Sequence, residues 1–266
     1  MGHFNMAHLK KILILCLIVT SVQAQNSSPV SRRGGARANL MLDSLAAYWA
    51  FDESSGNAAD ATGNGNTLTN NNGATFVAGL QSNCARLDSS INSNFSVASN
   101  AYVQGGDVDF TFAVWFMKKE FVPDGDNFGD AWIAKNSAAS IEYRFSNIAA
   151  TLQRVVTYNG STTISGSASY TSTALDTTTW NLVIGWHSGD STYIQFNNNI
   201  YVAALDATTP GVGDAAFRIG GTTGTSATTY ATGLVDEVAF WHRVLTPTER
   251  TWLYNAGSGR IYSEFE

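Results

Sequence analysis

Short apolar segments, separated by stretches of Gly, Asn, Asp, Ser and Thr, recur through most of this chain. Such segments are typical of β-strands punctuated by turns. We predict strands at residues 45–52, 85–87, 95–98, 110–117, 131–135, 141–145, 152–158, 181–186, 193–197, 200–203, 217–219 and 234–241. No amphipathic helical pattern of ten or more residues lies between them. Many short strands without long helices indicate a sandwich of two sheets.

The last predicted strand is followed by a helix start. Between residues 234 and 241, apolar residues alternate with others at a period of two. Thr246 is a suitable N-cap, Pro247 can be the first helical residue, and Glu249 can complete a capping box. Gly257 is the expected left-handed stop of this short helix.

Four segments carry sequence signatures: AYWAFDESSGNAADATGNGNTLT (47–69), FTFAVWFMKK (110–119), TWNLVIGWHSGDSTYIQFNNNIYVA (179–203) and GLVDEVAFWHRVLTPTERTWLYNAG (233–257). In this order they resemble the laminin-G-like domains of the concanavalin A-like jelly-roll superfamily. The resemblance implies an all-β fold, an antiparallel two-sheet β-sandwich (jelly roll) with one short C-terminal helix. It covers residues 42–257, which we take as the folded domain.

The segments outside this domain differ from it in composition. Residues 1–24 contain two lysines, an apolar run and small or aliphatic residues before Ala24, and are predicted to be a signal peptide. The run is too short to cross a bilayer, so a membrane anchor is the less favoured alternative. We expect no membrane insertion after the leader is removed. Residues 25–41 are predicted to be a flexible linker, and residues 258–266 a short tail. We therefore expect a secreted or surface-displayed protein.

The composition narrows the classes of partner. The formal net charge of the chain is -6 at pH 7, so no overall positive field favours nucleic acid. Of the 2 cysteines, Cys16 lies in the predicted leader. Cys84 then remains alone in the mature chain, and we expect it to be a buried, unreactive thiol.

Glycan hydrolysis is the enzymatic alternative that the resemblance raises. The superfamily's glucanases resemble one another in a Glu-x-Asp-x-x-Glu run, which places carboxylates on one face of a strand; this run is absent here. Asp124, Asp126 and Asp130 lie in a predicted loop. A period of two would place Asp236 and Glu237 on opposite faces of their strand. We expect no catalytic site, with glycoside hydrolysis as the less favoured alternative.

Calcium is the cofactor that the resemblance implies. In jelly-roll relatives a structural calcium ion commonly uses an aspartate of the last strand, a position that matches Asp236. Asp52, Glu53 and Asp60, in the loop after the first strand, could add oxygen ligands. In the alternative interpretation, Asp236 is a hydrogen-bonding strand residue that ties the two ends of the domain together.

Aromatic residues that lie beside loop-forming residues are the candidates for ligand contact. Sugar rings stack on aromatic faces, and nearby amides and carboxylates bind their hydroxyl groups. Trp132, Tyr158 and Tyr230 lie beside Gly, Asp, Thr or Asn, and we predict that they form exposed platforms. The alternative is that each packs over an edge of a sheet.

The sequence therefore predicts a non-catalytic binding module that recognises a carbohydrate or a surface protein through its loops. The second hypothesis is a structural or adhesion module of a larger surface or virion assembly. An exposed aromatic cluster would favour the first hypothesis, and a free edge strand or a large apolar patch would favour the second.

Overall fold

Two antiparallel sheets pack face to face in this protein. The structure, a computed structural model, describes residues 41–120, 129–137, 139–222 and 229–265. The predicted leader, nearly all of the predicted linker, Asp124 and Asp126 lie outside these ranges.

The larger sheet has eight strands, in the order β13-β12-β11-β6-β15-β4-β3 with β1 also paired to β15. Its strands are β1 (Leu45–Trp49), β3 (Thr75–Ala78), β4 (Asn83–Leu87), β6 (Phe110–Lys118), β11 (Asn181–Ser188), β12 (Ser191–Phe196), β13 (Val202–Leu205) and β15 (Gly233–Trp241). The second sheet has seven strands, in the order β10-β9-β8-β7-β14-β5-β2. Its strands are β2 (Thr69–Asn71), β5 (Asn94–Val97), β7 (Asp130–Asn136), β8 (Ile141–Ala149), β9 (Leu152–Tyr158), β10 (Ile164–Thr171) and β14 (Phe217–Ile219).

Strand β6 shows how the sequence produces two apolar layers. Phe110, Phe112, Val114 and Phe116 pack into the core between the sheets. Trp115 belongs to a second cluster, on the outer face of the larger sheet. All nine residues of β6 are buried, because this outer face is covered as well. The predicted all-β, two-sheet fold with a short C-terminal helix is confirmed.

Strand β15 lies at the centre of the larger sheet and pairs with β6, β4 and β1. The register against β6 shifts between Asp236 and Ala239, and Glu237 has a φ of 48°. This is a β-bulge, in which one extra residue is accommodated. Val235 and Val238 both pack between the sheets, although an unbroken strand would place them on opposite faces. The predicted period of two is therefore interrupted.

Helix α1 (Pro247–Tyr254) begins as the sequence predicts. The Thr246 side chain accepts a hydrogen bond from the Glu249 backbone, and the Glu249 side chain accepts one from the Thr246 backbone. The predicted stop at Gly257 is wrong by two residues. The helix is capped by Asn255, which adopts the left-handed conformation with a φ of 46°, and Asn tolerates this conformation better than most residues.

The boundaries of the domain extend beyond 42–257. Met41 is buried, and its carbonyl accepts a hydrogen bond of 2.8 Å from Trp241 Nε1. Phe265, in the tail, is also buried and packs against Trp241 and Tyr48. Residues 258–265 thus help to cover the outer face of the larger sheet. Within the described ranges, no helix has the length and apolar character needed to cross a membrane.

Candidate functional site

The structure contradicts the prediction that Trp132 is an exposed platform. Trp132 is fully buried and packs against Phe116 in the core, and its Nε1 donates a hydrogen bond to Asn147. The register of β7 against β8 shifts between Ala131 and Ile133, so that Trp132 and Ile133 both enter the core cluster. Because of this bulge, the Trp132 side chain points into the core although polar residues lie nearby in the sequence.

The other two predicted platform residues differ in exposure. Tyr158 is buried at the end of β9, and burial raises the pKa of its phenol. Tyr230 is half-buried and lies against Gly221. The expectation of exposed aromatic faces is wrong for Trp132 and Tyr158, and the three residues do not form an exposed cluster.

The predicted calcium ligands include one residue with a different role. Asp60 Oδ1 accepts hydrogen bonds from Thr62 Oγ1 at 2.7 Å and from Thr62 N at 3.0 Å, and Asp60 Oδ2 accepts two from Asn66, each at 3.0 Å. Both carboxylate oxygens therefore face N–H and O–H groups of their own loop. Asp60 organises this loop and does not fit a calcium ligand.

Asp236 and Asp52 are the predicted ligands that interact with each other. Asp236 is buried, and its carboxylate accepts hydrogen bonds from Leu80 N at 2.8 Å and Glu237 N at 3.0 Å. Burial, together with the charge of Asp52, raises the pKa of Asp236 to about 8. Glu53 binds Ala59 N through Oε1, and its Oε2 is buried without a partner. Among the described residues, no group of three or more His, Cys, Asp or Glu side chains could hold a metal ion, so the four predicted ligands do not form one site.

Two further predictions concern single residues. Asp130, expected in a loop, is the first residue of β7, where its buried carboxylate lies 2.5 Å from Lys118 Nζ. Cys84 is buried as predicted, and burial raises the pKa of its thiol to about 12. A thiol that stays protonated is a poor nucleophile.

A cleft of about 360 Å³ opens between the ends of β10 and β12. We call it the β10–β12 cleft. Tyr170, near the end of β10, stacks on Phe196, the last residue of β12, with ring centroids 5.3 Å apart and an angle of 17° between the planes. The cleft is lined by Tyr170, Ser172, Thr173, Ala174, Leu175, Asp176, Thr179, Asn181, Phe196, Asn197 and Asn199. Phe196 is 5% exposed and belongs to the core, so the partly buried ring of Tyr170 supplies the accessible aromatic surface. The cleft combines this ring with hydroxyl, amide and carboxylate groups.

The amide groups of the β10–β12 cleft are held in place by hydrogen bonds. Asn197 Oδ1 accepts from Leu182 N at 2.9 Å, and Asn197 Nδ2 donates to Asn181 Oδ1 at 3.2 Å. Asn181 Nδ2 in turn donates to the Thr179 carbonyl at 3.0 Å. Asn197 adopts a φ of 52°, which Asn tolerates better than most residues. This chain of bonds presents the polar groups in a fixed arrangement before any ligand binds.

Asp176 is the carboxylate of the β10–β12 cleft. Its oxygens accept hydrogen bonds from the side chains and backbone N–H groups of Thr178 and Thr179, at 2.7 to 2.8 Å. The bonds from Thr179 and Thr178 lower the pKa of Asp176 to about 2. The group is therefore ionised at neutral pH, and the cleft carries one fixed negative charge.

A second cleft, of about 640 Å³, lies beside β3, β4 and the first residues of β15. Its lining includes Arg86, Asp88, Lys119, Glu120, Val77 and Leu234. It has charges of both signs and no aromatic ring. Because stacking on an aromatic face is the main contact that a pyranose ring makes, the β10–β12 cleft is the better candidate for sugar.

The residues of the β10–β12 cleft were not identified from the sequence. Asn198 and Asn199 fit a tight turn between strands, and the Ser- and Thr-rich segment after Tyr170 fits a loop. A usable signal was present: an aromatic residue directly precedes three asparagines at 196–199, and another precedes a polar loop at 170. That the two aromatic residues meet follows from the packing of the two sheets, which the sequence pattern does not specify.

Comparison with known proteins gives one family match. Residues 88–249 match a family of laminin G type. This family is described as the concanavalin A-like lectin/glucanases superfamily. The search of curated proteins found no match to the chain.

Several solved structures share the fold. The binding domain of Paraclostridial Mosquitocidal Protein 1 is 15% identical, with a TM-score of 0.63, and the match covers 81% of this chain and 53% of that one. Domain 4 of AbnA, a GH43 extracellular arabinanase from Geobacillus stearothermophilus, was solved with arabinotriose; it is 14% identical, with a TM-score of 0.54, and the match covers 78% and 96%. The binding domain of Botulinum neurotoxin DC, in complex with rat synaptotagmin II, is 10% identical, with a TM-score of 0.60, and the match covers 81% and 52%. The chain thus aligns with about half the length of the two toxin domains.

Proposed function

Because the chain belongs to the concanavalin A-like lectin/glucanases superfamily, we propose that it is a non-catalytic binding module that takes a carbohydrate in the β10–β12 cleft. The observation that carries this proposal is the stacked pair of Tyr170 and Phe196 beside the fixed amides of Asn181 and Asn197. An aromatic face with a few convergent polar groups is the usual composition of a sugar site. The volume of about 360 Å³ suits a short stretch of a glycan rather than a long chain.

The charge of the cleft favours neutral sugars. Asp176 is ionised, and no Lys or Arg side chain lines the cleft itself; the nearby Lys119 is held outside the lining, where its Nζ donates a hydrogen bond to the Thr177 carbonyl. A sialic acid or uronic acid would bring a second carboxylate close to Asp176 and be repelled. Asp176 Oδ2 accepts one hydrogen bond, from Thr179 Oγ1, so a sugar hydroxyl group can donate to the lone pair that remains. Other hydroxyl groups can accept from the asparagine amides.

The same chemistry supports a binding role without catalysis. Glycoside hydrolysis needs two carboxyl groups that flank the scissile bond, one of them with a raised pKa so that it can act as an acid. The β10–β12 cleft has a single carboxylate, and its pKa is lowered. The arrangement can bind a sugar but lacks the pair that would cleave it.

The structural relatives support a binding role in general terms. One of them was solved with an oligosaccharide and another with a protein receptor. We further propose, from the predicted leader, that the protein is secreted or displayed at a surface, where such ligands occur. A protein partner bound through the same loops is the alternative to a glycan.

A glycan array tests the proposal with the full-length chain. We expect wild-type protein to bind neutral glycans and to bind sialylated ones weakly. Tyr170→Ala removes the aromatic wall and is expected to abolish binding, whereas Tyr102→Ala, at a tyrosine that is 42% exposed outside the cleft, is expected to retain it. Circular dichroism of both variants is the control for folding, and we expect spectra like that of wild type. Equal binding by wild type and Tyr170→Ala would contradict the proposal.

A further inference from the structure

A row of polar side chains crosses the inner face of the second sheet beside the β10–β12 cleft. Asn147 on β8 lies opposite Gln153 on β9, and Gln153 lies opposite Tyr170 on β10. Asn147 accepts a hydrogen bond from the core residue Trp132. Gln153 is two residues from Val155, which belongs to the same core cluster, and Tyr170 packs against that cluster. The three side chains therefore share the inner face, where such neighbours have Cβ atoms about 5 Å apart.

Two side chains of this row carry amide groups that are not paired. Asn147 and Gln153 are both fully buried. Within the ranges that the structure describes, Asn147 Nδ2 has no hydrogen-bond partner, and neither Nε2 nor Oε1 of Gln153 has one. A buried amide without partners costs free energy, so folded proteins contain few of them. Together the two side chains offer two N–H₂ donors and one carbonyl acceptor.

The inner wall of the β10–β12 cleft lies against these amides. Tyr170, which lines the cleft, is the cross-strand neighbour of Gln153. Leu175 also lines the cleft and packs against the core. Its backbone N–H donates a hydrogen bond of 3.1 Å to the carbonyl of Ala150, in the turn between β8 and β9. The segment that lines the cleft thus crosses the end of the sheet at which the unpaired amides lie.

An acetamido group matches these unpaired amides. Its carbonyl oxygen can accept hydrogen bonds from Asn147 Nδ2 and Gln153 Nε2, and its N–H can donate to Gln153 Oε1. Its methyl group is apolar, as is the Leu175 side chain beside the core. The group is uncharged, so the ionised Asp176 does not repel it. A hydroxyl group has no methyl group and reaches less far from the sugar ring, so it cannot make the same set of contacts.

We propose that the β10–β12 cleft selects N-acetylated amino sugars, and that Gln153, with Asn147 beside it, is the residue that selects them. This inference rests on the proposed function, because the sugar ring stacks on Tyr170 as proposed above. The acetamido group passes the edge of the Tyr170 ring, and the Leu175 side chain moves aside to admit it. A sugar without this group leaves the buried amides unpaired, which is the basis of the selection.

NMR titration of the full-length chain with matched methyl glycosides tests the proposal. One pair is N-acetylglucosamine and glucose, and the other is N-acetylgalactosamine and galactose; within each pair a hydroxyl group replaces the acetamido group. In at least one pair we expect the acetamido sugar to bind about tenfold more tightly or better. Equal affinities within both pairs, lost in Tyr170→Ala, would overturn this inference and leave the proposed function standing. No binding by any of the four sugars would also overturn it.

Gln153→Met separates selection from a structural role. The change removes both unpaired amide atoms with little change in volume, and is expected to abolish the preference for the acetamido sugar. We expect its melting temperature to equal or exceed that of wild type, because no unpaired amide is buried. Gln104→Met, at a glutamine outside the cleft lining, is the matched control and should keep the preference. A Gln153→Met variant that keeps the preference, or that melts at a lower temperature because the amide is bonded within the fold, would overturn the proposal.

Discussion

Asp236 and Glu237 lie on the same outer face of the larger sheet, although they are neighbours in one strand. Asp236 is opposite Trp115, and Glu237 accepts a hydrogen bond from the Tyr48 hydroxyl; both aromatic residues belong to the outer cluster. The bulge in β15 produces this arrangement, and it corrects the prediction that the two carboxyl groups point in opposite directions. Asp236 therefore lies under the turn at Leu80, and Glu237 lies near the tail, where Tyr48 also contacts the Arg260 carbonyl.

The stability of the fold should fall as the pH rises because of these two groups. Burial, as the largest cause, raises the pKa of Asp236 from 3.8 and that of Glu237 from 4.5, each to about 8. The folded state therefore binds these protons more tightly than the unfolded state. The stabilisation is complete below pH 3.8 and is lost as the pH rises to about 8, by up to about 1.4 kcal/mol per pH unit for each group.

Urea denaturation in the presence of a chelator, from pH 5 to 8, measures this dependence. We expect the free energy of unfolding to fall less steeply with pH in Asp236→Asn and in Glu237→Gln than in wild type. The comparison with wild type cancels the contributions of all other groups, including His242, whose pKa burial lowers. Equal slopes in wild type and both variants would show that these carboxyl groups titrate normally.

Trp132 should contribute to stability and not to binding. Trp132→Ala removes a fully buried indole and is expected to cost about 3–5 kcal/mol of unfolding free energy. Gly233→Ala provides an independent test, because a Cβ at Gly233 would lie 2.4 Å from the Met117 carbonyl oxygen and 2.7 Å from the indole. Denaturation curves and ligand titration below the melting temperature distinguish the roles. If folded Trp132→Ala bound the ligand more weakly than wild type, the prediction that Trp132 acts only on stability would be wrong.

The tail should be needed for the stability of the domain. Phe265 is buried against Tyr48 and Trp252, with ring centroids 5.3 and 5.5 Å away. Phe265→Ala is expected to cost about 3–5 kcal/mol, whereas Ile91→Ala, at a half-exposed residue, should change stability by about 0.5 kcal/mol or less. Thermal melts of the two variants decide this. Similar melting temperatures would mean that the tail does not cover the outer face.

Calcium, which the family resemblance implies, is not expected to bind tightly at Asp236 and Asp52. Both carboxylate oxygens of Asp236 accept backbone hydrogen bonds, from Leu80 N and Glu237 N. Among the described residues, no third acidic, His or Cys side chain joins the two aspartates in a group that could hold the ion, whereas calcium takes six to eight oxygen ligands. We expect wild-type protein to melt at the same temperature in calcium and in chelator. A melting temperature that calcium raises in wild type, and not in Asp236→Asn, would contradict this.

The sequence predicted the fold much better than the site. The capping box at Thr246 and Glu249 is a local motif, and the strands follow from local apolar patterning, so both could be read directly. The bulges at Glu237 and Trp132 change the face of the sheet on which single side chains lie. An alternation of apolar and polar residues does not predict where such bulges occur. The burial of Phe265 depends on where the tail crosses the sheet. The β10–β12 cleft depends on two strands that are distant in sequence, which the pattern alone cannot bring together.

A crystal structure of the protein with a neutral glycan from the array would show directly where the sugar binds. We predict a sugar ring in the β10–β12 cleft, in contact with Tyr170, with its hydroxyl groups bonded to Asp176 and the asparagine amides. A glycan bound in the larger cleft beside Arg86 and Lys119, or on the outer face of either sheet, would contradict it.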